Sequence, residues 1–228
     1  MCNQSGLQFG KSHLSQSEVK DKIVIEVGSR DVNGSIREDI ESLNPLSYIG
    51  VDMLEGKGVD EICDVNNLVT KYGNDKFDLV ISTELMEHVR EWHKAISNLK
   101  NILKPDGILL LTTRSKGFGY HGFPFDFWRY EIDDMKIIFS DFIIEAYEND
   151  TSAPGVFIKA RKPTNFSEKD LTNYELYSII RNKRCKNISE LSILIFKIKW
   201  SVFMFLKQIL PVGVKTFIRV KILRVKLN

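Results

Sequence analysis

The sequence predicts an α/β domain built on a doubly wound, mostly parallel sheet, and three observations carry that expectation. Apolar runs rich in β-branched residues, Ile23 to Val27, Phe77 to Ser82 and Ile108 to Thr113, suit strands buried on both faces. Helical stretches separate these runs at a steady rhythm, which implies right-handed crossovers between parallel strands. Acidic residues recur at successive strand ends, Glu26, Asp52, Asp64 and Glu84, on the edge where such sheets bind ligands.

A chain of 228 residues holds one full domain plus an extension. Composition shifts divide it into a polar lead-in over 1–20, a ligand-binding domain over 21–162 and a basic, apolar extension over 163–228. The net charge of +2 conceals an asymmetry: residues 181–228 carry 12 Lys/Arg against the single acid Glu190, leaving 20 basic and 29 acidic residues in 1–180. The two parts therefore meet different partners, or one partners the other. Cys2, Cys63 and Cys185 show no CxxC or Cys/His spacing, so no metal site is expected, and a reduced cytoplasmic setting fits them. MCNQSGLQFGKSHL lacks the apolar core of a secretory signal.

Residues 1–20 read as a loose lead-in with at most a short helix, and His13 as a solvated side chain. Ile23 to Val27 is the first strand. Gly28 ends it, where a missing Cβ lets backbone approach a ligand and where the next helix can present unpaired N–H groups. Ser35 to Leu43 forms that helix, and Asn44-Pro45 stops it. Tyr48 to Val51 is a second strand closing at Asp52, and Ile62-Cys63 a third closing at Asp64. After a helix around Asn66 to Tyr72, Phe77 to Ser82 is the fourth strand. Val89 to Leu103 is the clearest helix, with Val89, Trp92, Ile96, Leu99, Ile102 and Leu103 on one face. Lys104-Pro105-Asp106-Gly107 stops it, and Ile108 to Thr113 is the fifth strand. Ile132 to Phe139 reads as a helix. Phe142 to Glu148 and Val156 to Arg161 read as an antiparallel hairpin at the sheet edge. Lys162-Pro163 marks the boundary with a polar stretch to 190, followed by the apolar, basic Leu191 to Leu227.

Asp52 lies 24 positions after Gly28, where an acid at the second strand end can accept from two ribose hydroxyls. Asp64 can take an adenine amino group with Val65 beside it. Either acid can instead open a helix as an N-cap. The segments EVG (26–28), YIGVD (48–52), CDV (63–65), FDLVISTELMEHV (77–89) and LKPDGILLLTT (103–113) occur in the order and spacing of a known family. Over Ile23 to Arg161 the chain resembles the class I S-adenosylmethionine-dependent methyltransferases.

The resemblance implies S-adenosylmethionine as cofactor, with Glu26 and Gly28 near its methionine part, Asp52 at the ribose, and Asp64 and Val65 at the adenine. Thr83, Glu84 and Leu85 would close the pocket. Ser29 and Arg30 in the turn, Met53 beside Asp52, and His88 complete the expected contacts, although His88 could equally serve packing at a helix start. The chain departs from the family at the turn. Arg30 and Val32 stand where further glycines are usual, and glycine returns only at Gly34, with Asn33 a candidate for the left-handed position. A pyrophosphate needs closer backbone approach than a sulfonium cofactor, so the departure weighs against a nicotinamide enzyme.

Methyl transfer is an in-line displacement that positioning alone can largely drive, and a base is needed only for an acceptor that loses a proton. The loop Gly119 to Tyr130, GYHGFPFDFWRY, looks like the acceptor-facing loop of some methyltransferases of surface-glycan pathways. Its His121 is either a base or a hydrogen-bonded structural histidine, and Glu84 either a base or a cofactor contact. Arg129 either pairs with Asp126 to hold the loop or meets an anionic substrate. His93 looks exposed and carries no role.

In the extension, Lys197, Lys199 and Lys207 interrupt Leu191 to Leu210, and each central lysine costs about 2.5–3.5 kcal/mol on insertion scales, so a simple membrane span is not expected. Peripheral contact with anionic lipid through 191–228, packing on the acidic domain or a second subunit, and nucleic-acid contact stay open, the last disfavoured by that domain's charge. The expected activity is methyl transfer to a small molecule or saccharide, with a lipid-linked glycan suggested by the loop and tail. The rival is a non-catalytic binding module of the same fold.

Overall fold

A computed structural model of the chain describes residues 4–122 and 125–209. Two helices open it, α1 (Gln4–His13) and α2 (Gln16–Val19), before β1 (Ile23–Val27), α3 (Arg37–Glu41), β2 (Ser47–Asp52), β3 (Glu61–Ile62) and α4 (Leu68–Tyr72). Then come β4 (Phe77–Thr83), α5 (Trp92–Ile102), β5 (Leu103–Arg114), β6 (Trp128–Arg129), α6 (Ile132–Ile138), β7 (Ile143–Asn149) and β8 (Gly155–Arg161). Two short strands, β9 (Leu176–Ser178) and β10 (Lys183–Cys185), and a long helix, α7 (Glu190–Ile209), complete the described chain.

The main sheet has seven strands in the order β3-β2-β1-β4-β5-β8-β7. Strands β1 to β5 pair in parallel, and β8 joins β5 antiparallel and carries β7 at the edge. This is the doubly wound sheet with the antiparallel hairpin that the strand runs imply. Side chains alternate along β1, so Ile25 and Val27 enter one apolar cluster and Val24 the other. Helix α5 buries Trp92, Ile96, Leu99 and Ile102 against the first face. Each such side chain contributes roughly 1.5–3 kcal/mol of hydrophobic stabilisation.

Four expectations about local structure change. Residues 4–20 are not a loose lead-in: Phe9, Leu14 and Val19 are buried on the second face, because α1 and α2 supply the layer that the short α3 cannot cover alone. His13 is not a fully solvated side chain, since its ring packs against Phe9 with centroids 4.2 Å apart and planes tilted by 33°, and it lies 3.2 Å from the Glu148 carboxylate. The long helix begins at Trp92 rather than Val89, after a separate 3-10 turn over Met86–His88. Lys104 to Gly107 is bridged by β5 itself: Leu103 pairs with Phe77, the register shifts, and Ile108 resumes opposite Leu79, with Asp106 at φ 61 making the bend.

Beyond Pro163, β9 and β10 pair with each other and with β6 of the preceding loop, forming a second, three-stranded antiparallel sheet. Leu171, Leu176, Cys185, Ile188 and Ile193 are buried in the same cluster as α5. No described helix is long and apolar enough to cross a membrane. The basic segment Phe217 to Leu227 lies outside the described residues.

Candidate active site

A cavity of about 490 Å³ opens beyond the carboxyl ends of β1, β2 and β4. Gly28 forms part of its floor, at φ +83, a left-handed conformation that glycine adopts without strain. A Cβ there would lie 3.1 Å from the Leu85 Cβ, so the turn and the segment after β4 touch through the missing side chain. The left-handed positions of the turn are Gly28 and Gly34, and not Asn33.

Asp52 and Met53 line the cavity from β2, and Asp64 and Val65 from the segment after β3. Asp52 Oδ1 accepts from the Leu54 N–H at 3.0 Å, and Asp64 Oδ1 accepts from the Asn66 N–H at 2.8 Å, capping a 3-10 turn. The capping and ligand-binding readings of Asp64 are thus compatible, since one oxygen serves the turn and the carboxylate still lines the cavity. Arg30, Glu84, Leu85 and His88 also line it, with Phe125 and Phe127 from the aromatic loop.

Three expected residues stand behind the wall. Glu26 alternates to the opposite face from Ile25 and Val27, where its carboxylate accepts from the Tyr48 hydroxyl at 2.5 Å. Burial pushes it up to about 7, against the lowering pull of that hydrogen bond. Ser29 is 2% exposed, and its hydroxyl has no hydrogen-bond partner among the described residues. Thr83 is buried opposite Thr112 in the β4–β5 ladder.

Glu84 sits at φ 53 and forms an ion pair with Arg114, which also binds Asp150 at 3.1 Å. Burial first, and then the neighbouring Glu87 charge, push Glu84 up to about 8, with Arg114 opposing. His121 is not a lining residue of the cavity. It lies behind His88, with ring centroids 4.8 Å apart, its Nδ1 2.8 Å from Asp126 and its Nε2 3.6 Å from Glu87. Burial alone would lower it, but the neighbouring Asp126 and Glu87 carboxylates outweigh that and raise it to about 9.

Arg129 binds both carboxylate oxygens of Asp126, at 2.5 and 2.6 Å, and the carbonyls of Phe118 and Gly119. With Arg129 1% exposed and Asp126 fully buried, the pair holds the loop from inside. His93 is not exposed as expected: it stacks on Trp92 at 3.7 Å, and burial lowers it. Glu87 carries the largest part of the site that the strand-end logic missed. It is fully buried and accepts from the Thr113 hydroxyl at 2.8 Å. The available signal was the adjacency of Glu87 and His88 just past a strand end.

Fold and cavity together define an α/β protein that receives a nucleoside-bearing ligand where its strand order reverses. A family model described as a methyltransferase domain matches residues 11–174, and the chain belongs to that family. It is an enzyme of the S-adenosylmethionine-dependent class, and the glycine floor, paired acids and apolar walls of the cavity fit that cofactor. Among solved structures, an S-adenosylmethionine-dependent methyltransferase from Mesorhizobium loti is similar at TM-score 0.56 and 15% identity, over 70% of this chain and 99% of that one. The 1,6-didemethyltoxoflavin-N1-methyltransferase of Burkholderia thailandensis, bound to 1,6-didemethyltoxoflavin and S-adenosylhomocysteine, is similar at TM-score 0.55 and 12% identity, over 71% and 80%. A complex between the Haloferax volcanii Trm112 methyltransferase activator and a candidate methyltransferase is similar at TM-score 0.57 and 11% identity, over 72% and 91%. At these identities the likeness is one of fold. No curated protein matches the chain.

Proposed function

We propose that the protein methylates a small-molecule or saccharide acceptor held between the cavity and the aromatic loop. The observation that carries this reading is the wall of Phe125 and Phe127 on the cavity, their ring centroids 5.5 Å apart. Flat apolar surfaces beside a cofactor cavity suit a planar ring or a sugar face, and the bound S-adenosylmethionine supplies a methyl group made electrophilic by its sulfonium. Asp52 would hold the ribose, Asp64 and Val65 the adenine, and Gly28 with Leu85 the methionine end. Arg30 and Met53 would flank them. Ser29 would support the turn, and Glu26 and Thr83 would act from behind the wall, by shaping β1 and β4. His88 stands where cofactor and acceptor would meet.

Glu84, which lines the cavity, would manage an acceptor proton directly, and His121, behind His88, would do so only through it. Both are raised above their ordinary values, so each would accept a proton fully only toward alkaline pH. A calorimetric titration with S-adenosylhomocysteine, followed by turnover of a panel of hydroxylated rings and sugars, tests the reading. Binding without turnover of any acceptor would favour a non-catalytic module.

We further propose peripheral contact with anionic membrane through α7 and the residues that follow it. Leu191, Leu194, Ile198, Val202 and Phe205 are all more than half exposed at three- and four-residue spacings, while Ile193, Phe196 and Phe203 face the domain. An apolar stripe beside a strongly basic sequence suits an anionic surface. A cytoplasmic setting and a lipid-linked acceptor would both accord with that contact.

A further inference from the structure

Glu87, His88 and His121 come from one strand-end segment and one loop, and they present ligand atoms that all lie within 4.8 Å of one another. Glu87 Oε1 is 3.6 Å from His121 Nε2 and 3.9 Å from His88 Nε2. Ligands at about 2.0–2.2 Å around a tetrahedral ion stand about 3.4 Å apart, so small side-chain movements would close this set on a cation. Glu87 is fully buried and His88 is nine-tenths buried, yet Glu87 Oε1 and His88 Nε2 have no hydrogen-bond partner among the described residues. Leaving a buried carboxylate oxygen and an imidazole nitrogen unpaired costs about 1–3 kcal/mol each. The two atoms face the same point.

The other atom of each side chain is already engaged in the way a metal ligand's is. His88 Nδ1 lies 2.6 Å from the Phe125 carbonyl oxygen, so Nδ1–H donates there and, in the neutral ring, Nε2 keeps a free lone pair. His121 Nδ1 faces Asp126, itself held by Arg129, and Glu87 Oε2 is fixed by Thr113. Carbonyl and carboxylate partners of this kind set the tautomer and aim of metal-bound histidines. A purely structural cluster would have no need to hold three side chains from behind and leave two of their front atoms, Glu87 Oε1 and His88 Nε2, without a hydrogen bond.

We propose that Glu87, His88 and His121 bind a divalent first-row cation, with its open coordination side toward the cavity that His88 lines. Two imidazoles and one carboxylate suit Zn²⁺, Mn²⁺ or Fe²⁺ better than Ca²⁺, which prefers an all-oxygen shell. The site itself stands without any assignment of the cofactor; its role in catalysis rests on the methyl-transfer reading above. In that role the cation acts as a Lewis acid that lowers the pKa of an acceptor hydroxyl. The hydroxyl proton leaves to water, the oxygen lone pair forms the bond to the methyl carbon, and the carbon–sulfur pair stays on sulfur as a neutral thioether. His121 is then a ligand rather than a base, and the acceptor atom is oxygen.

The test uses the full chain stripped with chelator and dialysed, then titrated calorimetrically with ZnCl2 and with MnCl2. The expected result is one ion per chain at micromolar affinity or tighter for at least one of the two, weakened at least tenfold in both Glu87→Gln and His121→Asn. CoCl2 added to the unaltered protein should give visible d–d bands of nitrogen and carboxylate coordination, a readout that does not depend on the variants folding. No binding of either cation, or equal binding by unaltered protein and by folded variants, would overturn the proposal. S-adenosylhomocysteine titrated into the same samples separates the two readings. Metal binding without nucleoside binding keeps the site and sinks the cofactor reading, and the reverse result does the opposite. With both in place, chelator should abolish turnover of hydroxyl acceptors and leave S-adenosylhomocysteine binding unchanged.

Discussion

Gly28 and Leu85 approach so closely that a Cβ on residue 28 would lie 3.1 Å from the Leu85 Cβ and 3.3 Å from both of its methyl carbons. The same glycine sits at φ +83, where an L side chain is strained by roughly 1–2 kcal/mol. Gly28→Ala should therefore lower stability by about that amount and push the turn or Leu85 into the cavity. The expected outcome is a modest drop in the thermal midpoint with at least tenfold weaker S-adenosylhomocysteine binding. A variant that binds normally would show that the turn does not form the floor of the site.

Asp52 should separate binding from folding more cleanly. Among the described residues its side chain bonds only locally, to the Leu54 N–H, and it lies at the cavity edge. A carboxylate bonded to a ligand's hydroxyls contributes roughly 1.5–3 kcal/mol, so Asp52→Ala should weaken S-adenosylhomocysteine about tenfold to a hundredfold. Its urea midpoint should stay close to that of the unaltered protein. Unchanged affinity by calorimetry would remove Asp52 from the ribose site.

The strands and their order were legible because a buried parallel strand must be apolar, and the turn after it must be glycine or acid. Ile23 to Gly28 and Phe77 to Glu84 show both constraints in sequence. The N-terminal helices were hidden because Phe9, Leu14 and Val19 are apolar anchors spread thinly among Ser, Gln and Lys, with too few turns to mark a period. The cavity acids could be placed from strand ends, since each is carried by local chain geometry. Glu26 could not be oriented, because alternation on β1 decides its side only once the faces are known. The contacts among Glu87, His121 and Asp126 join a strand end to a loop more than thirty residues away in sequence, and no local pattern encodes such a contact.

Arg129 gives a test of the loop. It is fully enclosed and makes two bonds to Asp126 and others to carbonyls of the segment that precedes it. Lysine cannot reproduce a planar fork, so Arg129→Lys would leave part of Asp126 and several carbonyls unpaired. Breaking a buried pair costs about 3–5 kcal/mol, and the lysine charge recovers some of it. The chemical denaturation midpoint should fall by an amount equivalent to about 2–3 kcal/mol. A variant as stable as the parent would mean that the loop is held by its aromatics instead.

The membrane reading makes a salt-dependent prediction. Full-length protein should co-sediment with vesicles containing anionic lipid at low ionic strength, and the bound fraction should fall as salt screens the basic residues. Val202→Glu with Phe205→Glu places acids on the exposed face of α7 and should release the protein even at low salt. If the unaltered protein fails to pellet with anionic vesicles at low salt, α7 has another partner.

Glu26 makes folding stability depend on pH in a direction opposite to most carboxylates. Its ordinary value is 4.5 and burial raises it to about 7 in the folded chain, while the Tyr48 hydroxyl pulls it down only in part. The folded state therefore holds a proton that the unfolded state has lost between these two values. Its contribution to stability is complete below about pH 4.5 and is lost as pH rises toward and through about 7. At one pKa step per 1.36 kcal/mol, the loss amounts to about 3 kcal/mol at most. Glu26→Gln keeps an acceptor for Tyr48 and cannot ionise, so its stability should be the flatter of the two between pH 5 and 8. Tyr48→Phe removes the bond that favours the charged form and should steepen the fall. Urea midpoints of the three proteins at several pH values check this, and parallel curves for Glu26→Gln and the parent would show that Glu26 stays ionised behind β1.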